Sequence, residues 1–426
     1  IGFSHTHLSG TGIGDLFDVT VMPVTGEVTY ARGEEADPAS GLWSYADRTQ
    51  EIARPGYYSV PLTRYGIRAE LTATARVGLH RYTFPASEKA AVVFDLENGG
   101  CWDKATETHL AKEGDRTVTG WRHSTGWAKD QRVYFVAEFS KPFEKFETIG
   151  DNYARASFRT TDGEQVSLKV ALSPVSVEGA KANLAAELSG WDFDATAKAA
   201  DKAWNAELSK VKIETADETA RRIFYTALYH TMIAPSLFCD VNGDYYGSDH
   251  AIHRNADFTN YTTFSLWDTY RAAMPLMTVL HPEKMADIVQ TMLHIADEQG
   301  RLPVWHLWGN ETDCMVGNPG IVAVADAIVK GIGGFDREKA FEAIRKTAMN
   351  PDRGNGLRME YGYIPCEMFN EAVAYDMEYA LADGAAARAA ETLGKAEDAK
   401  YFEERSHSYR NYFDPATRFM RGRDSK

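Results

Sequence analysis

The segment Leu302-Pro303-Val304-Trp305-His306-Leu307-Trp308-Gly309-Asn310-Glu311-Thr312-Asp313-Cys314-Met315-Val316-Gly317-Asn318 gathers two indoles, an imidazole and two carboxyls in one glycine-punctuated loop. These residue types suit holding a sugar and protonating it. The Trp305 and Trp308 faces can stack on the apolar faces of pyranose rings, while His306 and Asn310 can fix hydroxyls. A carboxyl beside aromatic walls has its ionised form disfavoured, the condition a general acid needs, which makes Glu311 the candidate acid. The competing reading is a loop whose indoles plug the end of a helical core and whose acids are solvated, since isolated aromatics are usually packing.

Four other clusters carry possible chemistry. Trp267 and Asp268 precede Tyr270 and Arg271, and Asp268 could pair with Arg271 or cap its own helix N-terminus. His5 and His7 stand at alternate positions before Gly10-Thr11-Gly12-Ile13-Gly14-Asp15. No further ligand cluster accompanies those histidines, and the Lys-Ser/Thr of a phosphate-cradling loop is absent. A glycine-rich loop whose backbone approaches a ligand fits better. Tyr361-Gly362-Tyr363-Ile364-Pro365-Cys366-Glu367 forms a second aromatic loop. There Glu367 either binds the leaving-group sugar or, as a first-turn acid, serves a helix dipole. Asp240, Asn242, Asp244 and Asp249 resemble a hard-cation loop in composition, but the glutamate at the twelfth position is lacking, so a turn cluster is expected.

Four motifs, Gly2-Phe3-Ser4-His5-Thr6-His7-Leu8-Ser9-Gly10-Thr11-Gly12, Thr263-Phe264-Ser265-Leu266-Trp267-Asp268-Thr269-Tyr270-Arg271, Trp308-Gly309-Asn310-Glu311-Thr312 and Gly362-Tyr363-Ile364-Pro365, occur in that order. They resemble the landmarks of the calcium-dependent, exo-acting α-mannosidases of glycoside hydrolase family 92. The resemblance implies inverting hydrolysis of terminal α-mannosidic bonds in a mannose-containing oligosaccharide or glycoprotein glycan. It also implies a calcium ion whose ligands the sequence does not reveal. Under it Glu311 donates the proton, Asp268 grips the terminal sugar, Trp267 lines that pocket, Arg271 orients Asp268, and the N-terminal domain, with His5 and His7, contributes to the site. Family members carry sequence before the Gly-Phe-Ser-His motif and an Asn-Asp-Asp motif that supplies the general base, neither present here, so the base is expected outside this segment. Asp313 is then a structural or hydrogen-bonding group. The alternatives are a sugar phosphorylase or polysaccharide lyase of similar architecture, or a non-catalytic carbohydrate-binding protein.

The elements that must position these residues are legible in the periodicity. Alternation over 67–77 and the runs 90–96, 132–139 and 166–172 predict strands of a β-sandwich over residues 1–180. An Ala/Lys/Glu-rich stretch, with Phe193, Ala199, Ala203 and Leu208 near helical spacing, predicts a helical linker over 181–215. From 216 to 426 helices dominate. Ile223, Phe224, Ala227, Leu228 and Met232 make one stripe. Met285, Ile288, Val289, Met292 and Ile295 make another, opened by Pro282 and closed by Gly300, and further periodic segments fall near 337–348, 370–393 and 397–412. Helices alternating with functional loops predict an (α/α)6-type toroid, incomplete here because about 210 residues hold about seven or eight helices of ordinary length.

Composition narrows the function classes. With 46 basic against 61 acidic residues the formal net charge is −15, which disfavours nucleic-acid binding. Cys101, Cys239, Cys314 and Cys366 are scattered, without the close pairs of a structural zinc site. No 20-residue apolar span predicts a membrane helix. A secreted, periplasmic or cell-surface location and a cytoplasmic one are both compatible with the sequence, and the oligomeric state is not encoded in any pattern found.

Overall fold

The computed structural model describes residues 2–9 and 14–426, and Gly10-Thr11-Gly12 of the first motif, with Ile13, lie outside the described residues. The chain divides into two compact units. The first comprises Ile1–Ile233 with Cys239–Tyr245, the second Ala234–Phe238 with Tyr246–Lys426.

In the first unit, strands β1 (Thr20–Thr25), β2 (Ile52–Arg54), β3 (Tyr57–Leu62), β4 (Ile67–Ala73), β5 (Val77–Phe84), β6 (Ser87–Asp95), β7 (Lys104–Glu113), β8 (Thr117–Thr125), β9 (Gln131–Phe139), β10 (Lys145–Ile149), β11 (Tyr153–Thr160) and β12 (Glu164–Ser173) form two sheets. One has the order β1-β6-β11-β10 and the other β2-β3-β4-β5-β12-β9-β8-β7. They face each other through aromatic pairs: Phe94 of β6 stacks on Phe135 of β9 at 6.2 Å, and Phe84 of β5 meets Phe158 of β11 edge-on at 5.5 Å. The single run expected over 67–77 is two strands. Thr74-Ala75-Arg76 turns the chain, with the Thr74 amide donating to Val77 O at 2.9 Å, although the alternation of polar and apolar residues runs unbroken through it.

Helices α1 (Val177–Glu187) and α2 (Phe193–Leu208), in the stretch expected as a linker, lie on the larger sheet instead of standing free. Ala180, Leu184, Leu188, Phe193 and Ala197 bury against Val77, Leu79, Val136 and Ala171. Their N-termini are capped by Ser176 and Asp192. Helix α3 (Glu218–His230) also belongs to this unit; of its predicted stripe Leu228 is buried while Ile223 is 63% exposed.

The second unit is helical: α4 (Leu266–Thr269), α5 (Ala273–Leu280), α6 (Pro282–Gln299), α7 (Pro319–Val329), α8 (Arg337–Ala348), α9 (Asn355–Tyr361), α10 (Ala372–Thr392) and α11 (Ala396–Arg405). Pro282 occupies the first turn of α6 and Gly300 ends it in the left-handed conformation, φ 87°, as predicted. The α6 stripe packs with Ile321, Val324 and Ile328 of α7, Phe341 and Ile344 of α8, and the alanine face of α10 in one core. Those alanines bring α10 close to α7 and α11. A β-rich N-terminal domain followed by a helical domain is thus the architecture. Among the described residues no helix is long and apolar enough to cross a membrane.

Candidate active site

A three-stranded sheet in the second unit assembles the central residues. Strands β13 (Phe264–Ser265), β14 (Trp305–Leu307) and β15 (Asn310–Glu311) pair antiparallel, with Phe264 opposite His306, Ser265 opposite Trp305, and His306 opposite Glu311. Trp308 and Gly309 make the tight β14–β15 turn, both at positive φ (49° and 76°). Gly309 is required there because a Cβ would stand 2.7 Å from the Tyr246 ring. Strand β13 runs directly into α4, so one sheet holds the Trp305-to-Glu311 loop and the Trp267–Asp268 motif together.

Glu311 is held more firmly than aromatic walls alone would hold it. Its Oε1 accepts from the amides of Trp305 (2.9 Å) and Asp313 (3.0 Å), and Oε2 from the Val304 amide (2.7 Å). The Arg301 guanidinium lies 3.9 Å away. Such a set orients the carboxyl closely, through a polar cradle of N–H donors in place of the aromatic walls expected from the sequence. Asp313 is turned aside. Arg301 Nη2 donates to both of its oxygens (2.5 and 2.6 Å), and Arg353 approaches at 3.4 Å.

Several neighbouring side chains sit differently from expectation. Trp305 is 1% exposed and faces the core, leaving no ring face for sugar stacking. Asn310 is buried, and its side-chain amide donates to Trp308 O at 2.8 Å, bracing the turn. Trp308 packs edge-on against Phe238 at 4.8 Å. His306 is buried; Nε2 meets Ser248 Oγ at 2.9 Å, Nδ1 finds no protein partner among the described residues, and burial pushes its pKa down to about 3. Trp267 Nε1 is likewise buried without a protein partner among the described residues. Buried donors are normally satisfied, so an indole N–H in this state suits a ligand or water acceptor.

Arg271 does not orient Asp268. It stacks over the Tyr270 ring at 4.3 Å, donates to Trp267 O, and pairs with Glu378 of α10 at 2.6 Å. Tyr270 also donates to Glu378, at 2.9 Å. Asp268 instead accepts from Ser265 Oγ. Glu378 therefore anchors α4 to α10, a role no local motif signalled. Glu367 is not a first-turn helical acid: it lies in the turn between α9 and α10 and accepts from the Ser425 amide (2.9 Å) and Oγ (2.6 Å). Those bonds hold its pKa below the usual range.

His5 and His7 belong to the first unit. There a cavity of about 980 Å³ is lined by His5, His7, His80, Arg76, Trp204 and Arg222, among others. His7 is exposed, with Nδ1 meeting Ser9 Oγ at 2.6 Å. His80, which sequence reasoning missed, meets His5 Nε2 to Nε2 at 2.8 Å. Arg122, also missed, is fully buried between Asp18 (2.6 Å) and Asp103 (2.5 Å). Asp18 in turn takes the Thr6 hydroxyl at 2.7 Å, so this ion cluster pins the His5–His7 segment. Burial dominates at Asp103 and pushes its pKa up to about 6.

The Asp240–Asp244 stretch is a turn. The Asp240 amide donates to Asp244 O at 2.8 Å, and its carboxylate accepts from Ser173 Oγ and Asn183 Nδ2, each at 2.8 Å. Asp249 separates from it and joins His253 and Glu298, the one group of His, Cys, Asp or Glu ligands that converges among the described residues. Its donor set does not fit calcium, which takes about six to eight hard oxygens and no imidazole.

Residues 1–173 match the N-terminal domain of glycosyl hydrolase family 92, and residues 179–426 match that family's catalytic domain. Among solved structures, the family GH92 α-mannosidase BT3965 from Bacteroides thetaiotaomicron is 39% identical, with a TM-score of 0.96 over 100% of this chain and 60% of that chain. The same enzyme in complex with mannoimidazole gives 39% identity and a TM-score of 0.95, with 100% and 59% covered. The family GH92 inverting mannosidase BT2199 from Bacteroides thetaiotaomicron VPI-5482 is 29% identical, with a TM-score of 0.89 and 100% and 59% covered. No curated protein sequence matches. The chain thus spans about 60% of the length of the α-mannosidase it matches. Since two domain models of one family divide nearly the whole chain between them at the point where strands give way to helices, this chain belongs to glycoside hydrolase family 92.

Proposed function

We propose that the protein carrying this chain is an exo-acting α-mannosidase that hydrolyses terminal α-mannosidic bonds with inversion, and that Glu311 is its general acid. The observation that supports this most directly is the Glu311 carboxyl, fixed by three backbone amides at the edge of a sheet whose neighbouring strand leads into Trp267 and Asp268. In this reading Trp267 offers its unpartnered indole N–H to a sugar hydroxyl, and Asp268 accepts from others. Glu311 donates its proton to the glycosidic oxygen as the bond to the anomeric carbon breaks, while water attacks that carbon from the opposite face and gives up its proton to a second carboxylate acting as general base. Trp305, Asn310 and Arg301 position the loop. His5 and His7 are assigned to substrate on the family resemblance, as is the mannose-containing glycan itself.

The direct test is mannose release from α-mannosides, with the anomer of the first product read by NMR. Initial β-mannose supports the reading, and α-mannose or no release overturns it. Family membership also suggests calcium; removing it with a chelator should abolish turnover and adding calcium should restore it, while full activity in excess chelator removes calcium from the proposal.

A further inference from the structure

We propose that Asp249, His253 and Glu298 form a zinc-type binding site for a divalent transition metal, with two carboxylates and one imidazole as ligands and a position left for water. Asp249 and His253 stand on a tight hairpin closed by the Gly247 amide donating to Ala251 O (2.9 Å), and Glu298 reaches up from α6 with its side chain only 6% exposed. His253 Nε2 lies 3.1 Å from Asp249 Oδ1 and 3.5 Å from Glu298 Oε1, and one ligand atom from each residue falls within 4.8 Å of the others. Ligands about 2.0–2.2 Å from a tetrahedral zinc stand roughly 3.4 Å from one another, so His253 Nε2 already has zinc-cage spacing to each carboxylate.

Gly247 lies directly beneath the cluster. Its backbone is not in the left-handed region, so conformation does not demand glycine. A Cβ there would lie 2.7 Å from both Asp249 Oδ1 and His253 Nε2, so a larger residue would push against the two side chains as they converge. The mixed nitrogen and oxygen donor set selects zinc or a neighbouring first-row ion over calcium. The site also touches the candidate active site. The second oxygen of Glu298 accepts the Ser248 amide at 2.7 Å, and Ser248 Oγ holds His306 at 2.9 Å, so a bound ion would lock the hairpin that orients His306. The competing account is a bare histidine–carboxylate cluster with no ion.

Metal content separates the two, whatever the substrate proves to be. The protein is stripped with chelator, dialysed against zinc chloride and assayed for bound metal, with cobalt chloride as an optical probe. About one retained zinc, a cobalt spectrum of tetrahedral type, and zinc binding weakened roughly 100-fold or more in His253→Gln support the site, since loss of even an outer partner costs about 10–100-fold. Gly247→Ala should weaken zinc with all three ligands intact. Circular dichroism verifies folding, and if a variant fails to fold, wild-type stoichiometry and the cobalt spectrum decide. No zinc retained by the wild type, equal retention in His253→Gln, or displacement of zinc by equimolar calcium would overturn the proposal.

Discussion

His5 and His80 share one hydrogen between their Nε2 atoms at 2.8 Å, and their outer partners determine which ring carries it. His5 Nδ1 lies 2.6 Å from Val19 O, which can only accept, so His5 is protonated at Nδ1 and its Nε2 is the acceptor. His80 therefore donates from Nε2, and its Nδ1, at 2.7 Å, accepts from the Tyr82 hydroxyl. The chain from Tyr82 through two neutral imidazoles to Val19 ties the family's first motif to strands β4–β5–β12 of the larger sheet.

That chain makes stability depend on pH. Burial holds His5 down to about 4 and His80 well below the usual histidine range. The unfolded chain takes up these protons from about pH 6.5 downward while the folded one does not, so the stabilisation is full above about 6.5 and lost as pH falls toward 4. His5 contributes on the order of 1–3 kcal/mol across that window, and His80 acts in the same direction. Thermal melts from pH 7.5 to 4 should show the decline, and His5→Gln with His80→Gln should flatten it. An unchanged slope in the double variant would reject the assignment.

Glu311→Gln should cut turnover of mannosides with poor leaving groups by several orders of magnitude and spare activated aryl mannosides, which need less protonation. One part of the amide must also face a backbone N–H where an oxygen accepted before, costing about 1–3 kcal/mol of stability. Kinetics on both substrate types beside a denaturation curve separate the two effects. Equal losses on both substrates would point to structural damage and away from proton donation.

Asp313→Asn removes one partner of the Arg301 pair while leaving Glu311 its amides. A partly exposed ion pair of this kind contributes about 1 kcal/mol or less, and turnover should stay within about tenfold of wild type. A loss as large as that of Glu311→Gln would instead make Asp313 the carboxylate that activates water.

Arg122→Met should destabilise the first unit by about 3–5 kcal/mol, because Asp18 and Asp103 would remain buried without their cation. Urea denaturation measures it. Adding Asp18→Asn and Asp103→Asn to the Met variant should recover part of the loss, and a simple sum of three penalties would argue against one coupled cluster.

The α6 stripe, its Pro282 start and its Gly300 stop were legible because helix periodicity and end signals are local, and the strands over 132–139 and 166–172 were legible for the same reason. The ordered motifs carried the family. What local patterns could not settle was which side of a residue would face what. Trp305 and Trp308 are the same residue type three positions apart, yet β-pairing turns Trp305 into the core and a positive-φ turn sets Trp308 against Phe238. Arg271 is adjacent in sequence to the Asp268 motif, but packing of α4 beside α10 offers it Glu378. His80, Arg122, Glu298 and Glu378 escaped notice because each acts on a residue 45 or more positions away, and separations of that size are closed by sheet register and helix packing. The sequence by itself determined the longer elements and the family, and it nominated the candidate acid. Only the tertiary structure decided the partners, since a side chain's hydrogen bonds and ion pairs depend on which distant surface burial brings against it.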